Sequence, residues 1–468
     1  MELASIALTT ITMLKKEFYR EVVATIERMR SLMREVSPEF SAKLAVYTRH
    51  QHGLRSVTHF MAAELASHEV GAPWRRDFYE AVVRRPDDMT EIIAAYAAMN
   101  GGKVRPLPSA MKHGFARAFD RFDGYQIAKY QAKGATISLI DVVNLVHPHP
   151  TDRNKNALQL LVTDKLTQDK TWNSQLSASV ALAQTDEEKA SAKKEVWAKQ
   201  LEAGSLGYNA LVKNIRNIME HAPDSIPLLA KQLANEVAVR KSLIMPYEIV
   251  KAYRAIEDIC FSVKAKSFDM VRDALDMASI NALNNVPLFD GEVLVALDSS
   301  GSMTGWGSED TPVDKAAPLA VALTRANGSD IMLFDRTTQW FNDIRGIRPL
   351  AAINATRNRC MGCATHANLV FKDAKKAYDV IIILSDMQTY GGNMEDALRS
   401  YRRRYNCNPM VICIDVSGYG SLMFPSHKVA CVAGYTRETL NILREAASGS
   451  DALVKRIEAV SLKKKENV

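Results

Sequence analysis

From about Leu14 to Ile280 the apolar residues of this chain recur at intervals of three and four. Phe18, Val22, Ile26, Met29 and Met33 form one such stripe, and Met111, Phe115, Phe119 and Phe122 form another. Leu211, Ile215 and Ile218, then Leu228, Leu229, Leu233 and Val237, repeat the pattern. This spacing places one apolar face on an amphipathic helix. Breakers punctuate the runs at Pro73, Pro86, Gly101-Gly102, Pro106, Pro108, Pro148, Pro150, Pro223 and Pro246. The segments between them, roughly 10 to 20 residues long, suggest a succession of antiparallel helices stacked as a solenoid. No strict sequence period supports the repeat, which rests on element length alone.

After Pro287 the pattern changes. Short apolar runs at Val293–Leu297, Ile331–Phe334, Val380–Leu384 and Met410–Ile414 read as buried strands. Helix-compatible stretches lie at Lys315–Arg325, Asn368–Tyr378, Met394–Tyr405 and Thr439–Ala447. Alternating strands and helices predict a mostly parallel, doubly wound sheet covered on both faces. The expected fold is therefore multidomain, α plus α/β. A helical-repeat domain occupies residues 1–285, and a Rossmann-like domain occupies residues 286–468.

An open α/β sheet builds its sites at the carboxyl ends of its strands. There the first predicted strand runs into Asp298-Ser299-Ser300-Gly301-Ser302. Ser385-Asp386 follows a later strand, and Thr365 stands in a loop before the helix expected near Asn368. Any one of these residues alone suits a helix cap or a turn. Asp298, Ser300 and Ser302, one carboxylate and two hydroxyls, suit a hard cation such as Mg²⁺, and Thr365 and Asp386 are expected to converge with them at one sheet edge. No nucleophile accompanies them. His366 is the one candidate general base and reads as a loop residue, while Asp335 reads as a brace or a cap. Hydroxyls in place of a two-metal carboxylate cluster also argue against a nuclease.

Composition narrows the setting. With 468 residues and 47% hydrophobic side chains, two or three domains with sizeable cores are possible. No apolar stretch is long enough to span a bilayer. The apolar opening Met1–Met13 has no basic leader or clear cleavage site and reads as an ordinary helix or strand. Six scattered cysteines suit a reducing compartment, and a cytoplasmic location is expected. The lone pair Cys360 and Cys363 lacks partners for zinc. Net charge is +7, concentrated in part between Gly101 and Pro150, where seven Lys/Arg face three Asp. Such an excess suits either a phosphate-binding surface or a solvated helical face. Trp74, Trp172 and Trp197 read as packing anchors rather than stacking platforms.

Two resemblances sharpen these expectations. The stretch from Val293 to Ala447, with its D-x-S-x-S string, resembles a von Willebrand factor A domain carrying a metal-ion-dependent adhesion site. The resemblance implies that Ser300 and Ser302 bind Mg²⁺ directly and Thr365 directly or through water. Asp298 and Asp386 would act mostly through water. An ion ringed by neutral hydroxyls keeps much of its charge and seeks an anionic ligand, such as a carboxylate from an acidic protein partner.

The helical half resembles the TROVE domain of the Ro ribonucleoprotein autoantigen and its bacterial relatives. The resemblance rests on Leu44–Arg49, Gly53–His59, Pro106–Lys112, Phe122–Tyr130, Asp141–Pro148, Ala210–Ile215 and Met245–Tyr247, which occur in the family's order. It implies a ring of HEAT-like repeats closed by the A domain, and a non-enzymatic RNA-binding protein that is expected to be monomeric. A Y RNA-like small noncoding RNA would bind the outer surface. Single-stranded 3′ ends of misfolded or unprocessed RNA would enter a basic central hole, and an exoribonuclease would be a partner in maturation or decay. Lys129, Lys133 and His147 match the family's outer-surface positions. Arg49, His52, Arg55, Lys112, His113 and Arg117 are nominated for the hole because they lie on polar faces of matched segments. Family members commonly carry a further segment ahead of the stretch resembling Leu3–Leu14. A second reading stays open, in which the chain is a Mg²⁺-dependent adhesion scaffold with no RNA role.

Overall fold

The computed structural model describes residues 3–4, 7, 22–68, 71–167, 181, 185–305, 311–389, 392–416, 428–433, 440–441, 444 and 450–463. Its packing forms two compact units. The first comprises Met1–Thr171 with Ser448–Val468, and the second comprises Trp172–Ala447.

The first unit is helical, and local chemistry sets many of its helix ends. Ser37 accepts from the Phe40 N–H to start the helix Pro38–Gln51. Asp123 and Gln126 form a reciprocal capping box that opens Gly124–Lys129. Ser138 and Asp141 do the same for Leu139–Val146. Side-chain oxygens thus satisfy amide hydrogens that the helix itself leaves unpaired. The helix Leu139–Val146 stops at His147, which adopts φ +50 and donates its N–H to the Val143 carbonyl. Pro148 follows and cannot continue the helix. Helix Ser109–Ala118 packs tightly on Arg75–Ala81 at Gly114, where an added Cβ would come within 2.5 Å of the Tyr79 Cβ. The helix Ser450–Glu458 packs on Pro38–Gln51, so the last described helix belongs to this unit.

In the second unit the helices from Asp186 to Ala282 share one apolar core with a six-stranded sheet. The strands are β1 (Val293–Asp298), β2 (Asp330–Phe334), β3 (Thr338–Trp340), β4 (Val380–Ser385), β5 (Met410–Asp415) and β6 (Val429–Ala433). Their order is β3-β2-β1-β4-β5-β6, parallel throughout except for the β2–β3 hairpin. Alternation along β1 sorts the two faces. Val293, Val295 and Leu297 join the core shared with the helices, whereas Leu294 and Ala296 join Phe334, Phe371 and Tyr401 on the other side. The expected doubly wound α/β sheet is therefore present, after the helices in chain order. The change of pattern near residue 286 marks where the sheet begins. The packing itself groups the preceding helices with the sheet, since the Leu350 N–H donates to Asp276 on Ala265–Ala282.

The six strands include two, β3 and β6, that the apolar runs did not indicate; β3 is three residues long and none of them is buried. The helix expected over Asn368–Tyr378 is a single turn, Leu369–Lys372. Side chains from Met394–Tyr405 capture the backbone beyond it. Tyr405 donates to the Ala374 carbonyl, Tyr401 donates to the Lys376 carbonyl, and the Tyr401 hydroxyl accepts from the Tyr378 N–H. These bonds take the place of helical ones in the segment. The helix expected at Thr439–Ala447 lies mostly outside the described residues. Of the three tryptophans, Trp197 is fully buried and Trp74 packs edge-on against Phe78, while Trp172 lies outside the described residues. No described helix is long and apolar enough to cross a membrane.

Candidate metal centre and basic surface

The strand order reverses at β1, whose neighbours are β2 and β4. At such a switch point the connections leave in opposite directions and open a crevice beyond the strand ends. β1 ends in Asp298, and β4 ends in Ser385 followed by Asp386. The loop after β1 is clamped on both sides. Ser299 donates its N–H and its hydroxyl to the Phe334 carbonyl at the end of β2. The Gly301 N–H donates to the Cys363 carbonyl at 2.9 Å, and the Gly362 N–H donates to the Ser299 carbonyl at 3.0 Å. Ser300 and Cys363 thus form a short parallel bridge that brings the Thr365 loop to the β1 loop. Gly362 has φ +75, a conformation that favours glycine, and the Gly301 Cα lies 3.8 Å from where its Cβ would stand.

Within this frame, Asp298 accepts from the Ser300 N–H at 2.9 Å and from the Ser385 hydroxyl at 2.6 Å. The Ser300 and Ser302 hydroxyl oxygens are 3.2 Å apart. Asp298, Ser300, Thr365 and Asp386 are buried, and Ser302 is exposed. Burial pushes the Asp298 carboxyl up to about 7 against the bonds from Ser300 and Ser385, with the charge of Asp386 adding to the rise. Asp386 Oδ1 accepts from the Gln388 N–H, but its buried Oδ2 has no hydrogen-bond partner among the described residues. A buried carboxylate oxygen left unsatisfied is costly and calls for a missing positive partner.

The donor set fits a hard divalent cation: two hydroxyls at 3.2 Å, a buried threonine nearby in the loop, and two carboxylates. No cluster of three or more His, Cys, Asp or Glu groups among the described residues could hold a metal, so any ion here depends on the hydroxyls. Asp335 braces the site through the backbone. Its carbonyl accepts from the His366 N–H, and its carboxylate accepts from the Thr337 N–H to turn β2 into β3. Cys360 and Cys363 carry free thiols, and burial pushes that of Cys360 up to about 12.

The basic nominees separate by their surroundings. Arg49 was expected on a polar face, yet it is 3% exposed and grips Asp88 with two bonds of 3.0 and 3.1 Å. His52, also expected there, is 1% exposed, with its ring 5.3 Å from that of Tyr47. Arg55 bonds Asp87 and Glu91. Helical periodicity placed these residues away from one apolar stripe, but a second helix, Pro86–Met99, covers that side and supplies the carboxylates. Arg117 is exposed but paired with Asp77 and Glu80.

Other nominees face solvent. Lys112 and His147, assigned by sequence to different surfaces, line one cavity of about 540 Å³ together with Arg105 and Asn144. Arg105, Lys112 and His147 are exposed and have no ion-pair partner among the described residues. His113 is exposed beside Lys112 but does not line this cavity. Lys129 lies 5.4 Å from the Tyr130 ring and 5.8 Å from the Tyr125 ring. Lys133 is 59% exposed and pairs with Asp164 at 3.1 Å. Arg105 belongs to the local basic excess, outside the residues that the family resemblance points to. Its signal was its place one residue ahead of the matched Pro106–Lys112 stretch.

The TROVE domain family model matches residues 3–174 and 163–286, which together make up more than half of the chain. The chain belongs to the TROVE-domain family. That family is one of RNA-binding proteins that form ribonucleoprotein complexes. The chain is 31% identical over 113 residues to telomerase protein component 1 of Rattus norvegicus and 30% identical over 113 residues to that of Mus musculus. The matched segment is 24% of this chain and 4% of either telomerase component, so the chain spans a small part of those proteins. The fold is similar to that in the crystal structure of the Deinococcus radiodurans Ro (RSR) protein. The TM-score is 0.69 at 18% identity, covering 95% of this chain and 99% of that one. This TROVE protein therefore has a Ro-like fold with a von Willebrand A-like sheet domain.

Proposed function

We propose that this TROVE protein is a non-enzymatic binder of small structured noncoding RNA, acting in RNA quality control, maturation or decay. The observation that carries the reading is the cavity where Arg105, Lys112 and His147 meet without carboxylate partners among the described residues. Arg105 and Lys112, unpaired cations at a concave surface, attract phosphates, and such contacts position an RNA without reading its sequence. Lys129, set beside two tyrosine rings, and Lys133 belong to the same functional surface in this reading. A Y RNA-like molecule would bind there, and single-stranded 3′ ends would be a second class of ligand. An exoribonuclease is the natural partner for such a protein. The cell compartment proposed is the cytoplasm, in keeping with the free thiols.

The metal centre has a separate role. Ser300, Ser302 and Thr365 would hold Mg²⁺, with Asp298 and Asp386 supporting it. The bound ion would supply a Lewis-acidic position for a carboxylate from an acidic protein partner. The residues themselves hold the loops in place and provide oxygen atoms. No paired base and nucleophile stand beside them among the described residues, as hydrolysis would need.

The test is a titration of the full chain against a hairpin with a 3′ single-stranded tail and the same hairpin with a blunt end. Each is run at two salt concentrations, with Mg²⁺ and with EDTA. Binding that weakens steeply with salt and persists in EDTA supports the reading. Absence of binding to either RNA refutes it and leaves the adhesion scaffold.

A further inference from the structure

The second unit contains a cavity of about 330 Å³ between the helices Tyr208–Lys213, Ile215–His221 and Pro246–Glu257. Its floor is aliphatic, with Val212, Ile215, Ile244 and Ala252 all buried. Its rim is cationic, with Lys213, Arg216 and Lys251. The balance of charge at the rim is informative. Arg216 is matched by Glu220 at 3.0 Å and Asp258 at 3.6 Å. The one carboxylate lining the cavity, Glu248, accepts from the Met245 N–H at the start of its own helix. Lys213 and Lys251 are exposed and have no ion-pair partner among the described residues.

An occupant that satisfies this site must present an apolar face inward and negative charge outward. An acidic peptide supplies the charge, but its carboxylates come on flexible stems with no flat apolar body to fill the floor. A nucleotide supplies both, in a base and its flanking phosphates. The volume is at the low end for a small-ligand cavity, which suits one nucleotide rather than a stacked run. A duplex keeps its base faces buried in the stack, so only an unpaired nucleotide can enter.

We propose that this cavity seats one unpaired nucleotide of an RNA strand, its base on Val212, Ile215, Ile244 and Ala252 and its flanking phosphates on Lys213 and Lys251. The inference rests on the RNA-binding reading above and adds a site remote in sequence from the Arg105, Lys112 and His147 cavity.

The experiment uses the full chain, a labelled ten-nucleotide oligoadenylate as the single strand, a blunt hairpin as the structured RNA, and a polyglutamate peptide as the acidic control. Two variants attack different parts of the site. The double variant Lys213→Ala/Lys251→Ala removes charge at exposed positions. Ala255→Trp fills the cavity from an exposed lining position and keeps both lysines. Both variants are expected to weaken oligoadenylate binding by about tenfold or more while leaving the blunt hairpin unchanged. The lysine variant should also lower the magnitude of the salt slope by about 1.4, the contribution of two phosphate contacts on a single strand. If the wild type binds the hairpin but both variants hold oligoadenylate as well as the wild type does, the cavity is not a nucleotide site and the RNA reading stands. An effect of the lysine variant without one of Ala255→Trp means a bare phosphate contact and overturns base seating. Polyglutamate that binds tightly and loses affinity in both variants assigns the cavity to an acidic peptide instead. If the wild type binds neither RNA, the RNA reading fails and this inference falls with it.

Discussion

Arg49 was nominated by its segment for RNA contact, and the structure buries it against Asp88, so substitution separates the two roles. Asp88 accepts from Arg49 Nε at 3.1 Å and Nη2 at 3.0 Å, from the Arg84 and Arg85 N–H groups at 2.9 Å each, and from His59 Nε2 at 3.1 Å. Arg49 has far less beyond Asp88, with one contact to the Gly53 carbonyl at 3.4 Å. The two halves of the pair are therefore unequal. Asp88→Asn strands a buried guanidinium and should cost about 4 kcal/mol, within the usual range for breaking a buried pair. Arg49→Met leaves a carboxylate still held by three other donors, so the cost should be smaller, about 2 kcal/mol. The double variant should cost no more than Asp88→Asn alone, because the second change removes the stranded charge. Burial pushes the Asp88 carboxyl up, but His59, Arg49 and the Arg84 amide outweigh it and hold the group well below the usual carboxylate range. A folded value below the unfolded one stabilises the protein fully above the ordinary aspartate range. That gain is lost as pH falls through the folded value, so the difference between wild type and Asp88→Asn should narrow below about pH 4. Hydrogen exchange in the helices Pro38–Gln51 and Pro86–Met99 reads these changes locally, which matters in a chain with two packing units. RNA affinity of folded Arg49→Met should stay within about twofold of wild type, a difference of about 0.4 kcal/mol. Unchanged exchange together with a large loss of RNA affinity would refute the structural assignment of Arg49.

Three further outcomes follow from the geometry. Ser300→Ala/Ser302→Ala removes both hydroxyls from the crevice, so Mg²⁺ binding measured by calorimetry should disappear while hairpin binding is retained; retained Mg²⁺ binding would exclude these oxygens as ligands. Substituting Lys129, Lys133 and His147 together by alanine should weaken the structured hairpin and spare the single strand, and equal loss for both would refute that division of surfaces. Gly114→Ala places a methyl group within 2.5 Å of the Tyr79 Cβ and 2.7 Å of the Arg76 carbonyl, both on a packed helix. It should cost roughly 1–3 kcal/mol by overpacking, seen as a lowered midpoint in urea; an unchanged midpoint would mean the two helices separate at no cost.

Local signals carried much of the fold. β1, β2, β4 and β5 are runs of aliphatic residues buried on both faces of a parallel sheet, so they stand out as apolar segments of the right length. β3 escaped notice because it is three residues on an edge, where neither length nor burial leaves a pattern. The helix Met394–Tyr405 has the bounds expected from the sequence, and in the structure Asn393 caps its start. The stretch around Asn368–Tyr378 was not legible in this way, because its fate depends on tyrosines and an arginine 23 to 32 residues later in the chain.

The candidate sites divide along the same line. Four oxygen-bearing side chains beyond strand ends, and Thr365 in a loop, could be listed from the sequence, since a strand's end and a D-x-S-x-S string are both local features. That Ser385 holds Asp298, that Asp386 keeps a buried oxygen without a partner among the described residues, and that Cys363 pairs with Ser300 depend on the register of β1 against β4 and on loops far apart in the chain. The sequence alone likewise determined that basic residues concentrate between Gly101 and Pro150. Which of them remain available is a tertiary matter. Within that stretch Arg117 meets carboxylates of another helix, as Arg49 does outside it, whereas Arg105 and Lys112 converge with His147 on one cavity that has no carboxylate among its lining residues. Charge is a property of a side chain, but its availability belongs to whatever packs against it, and only the folded chain sets that.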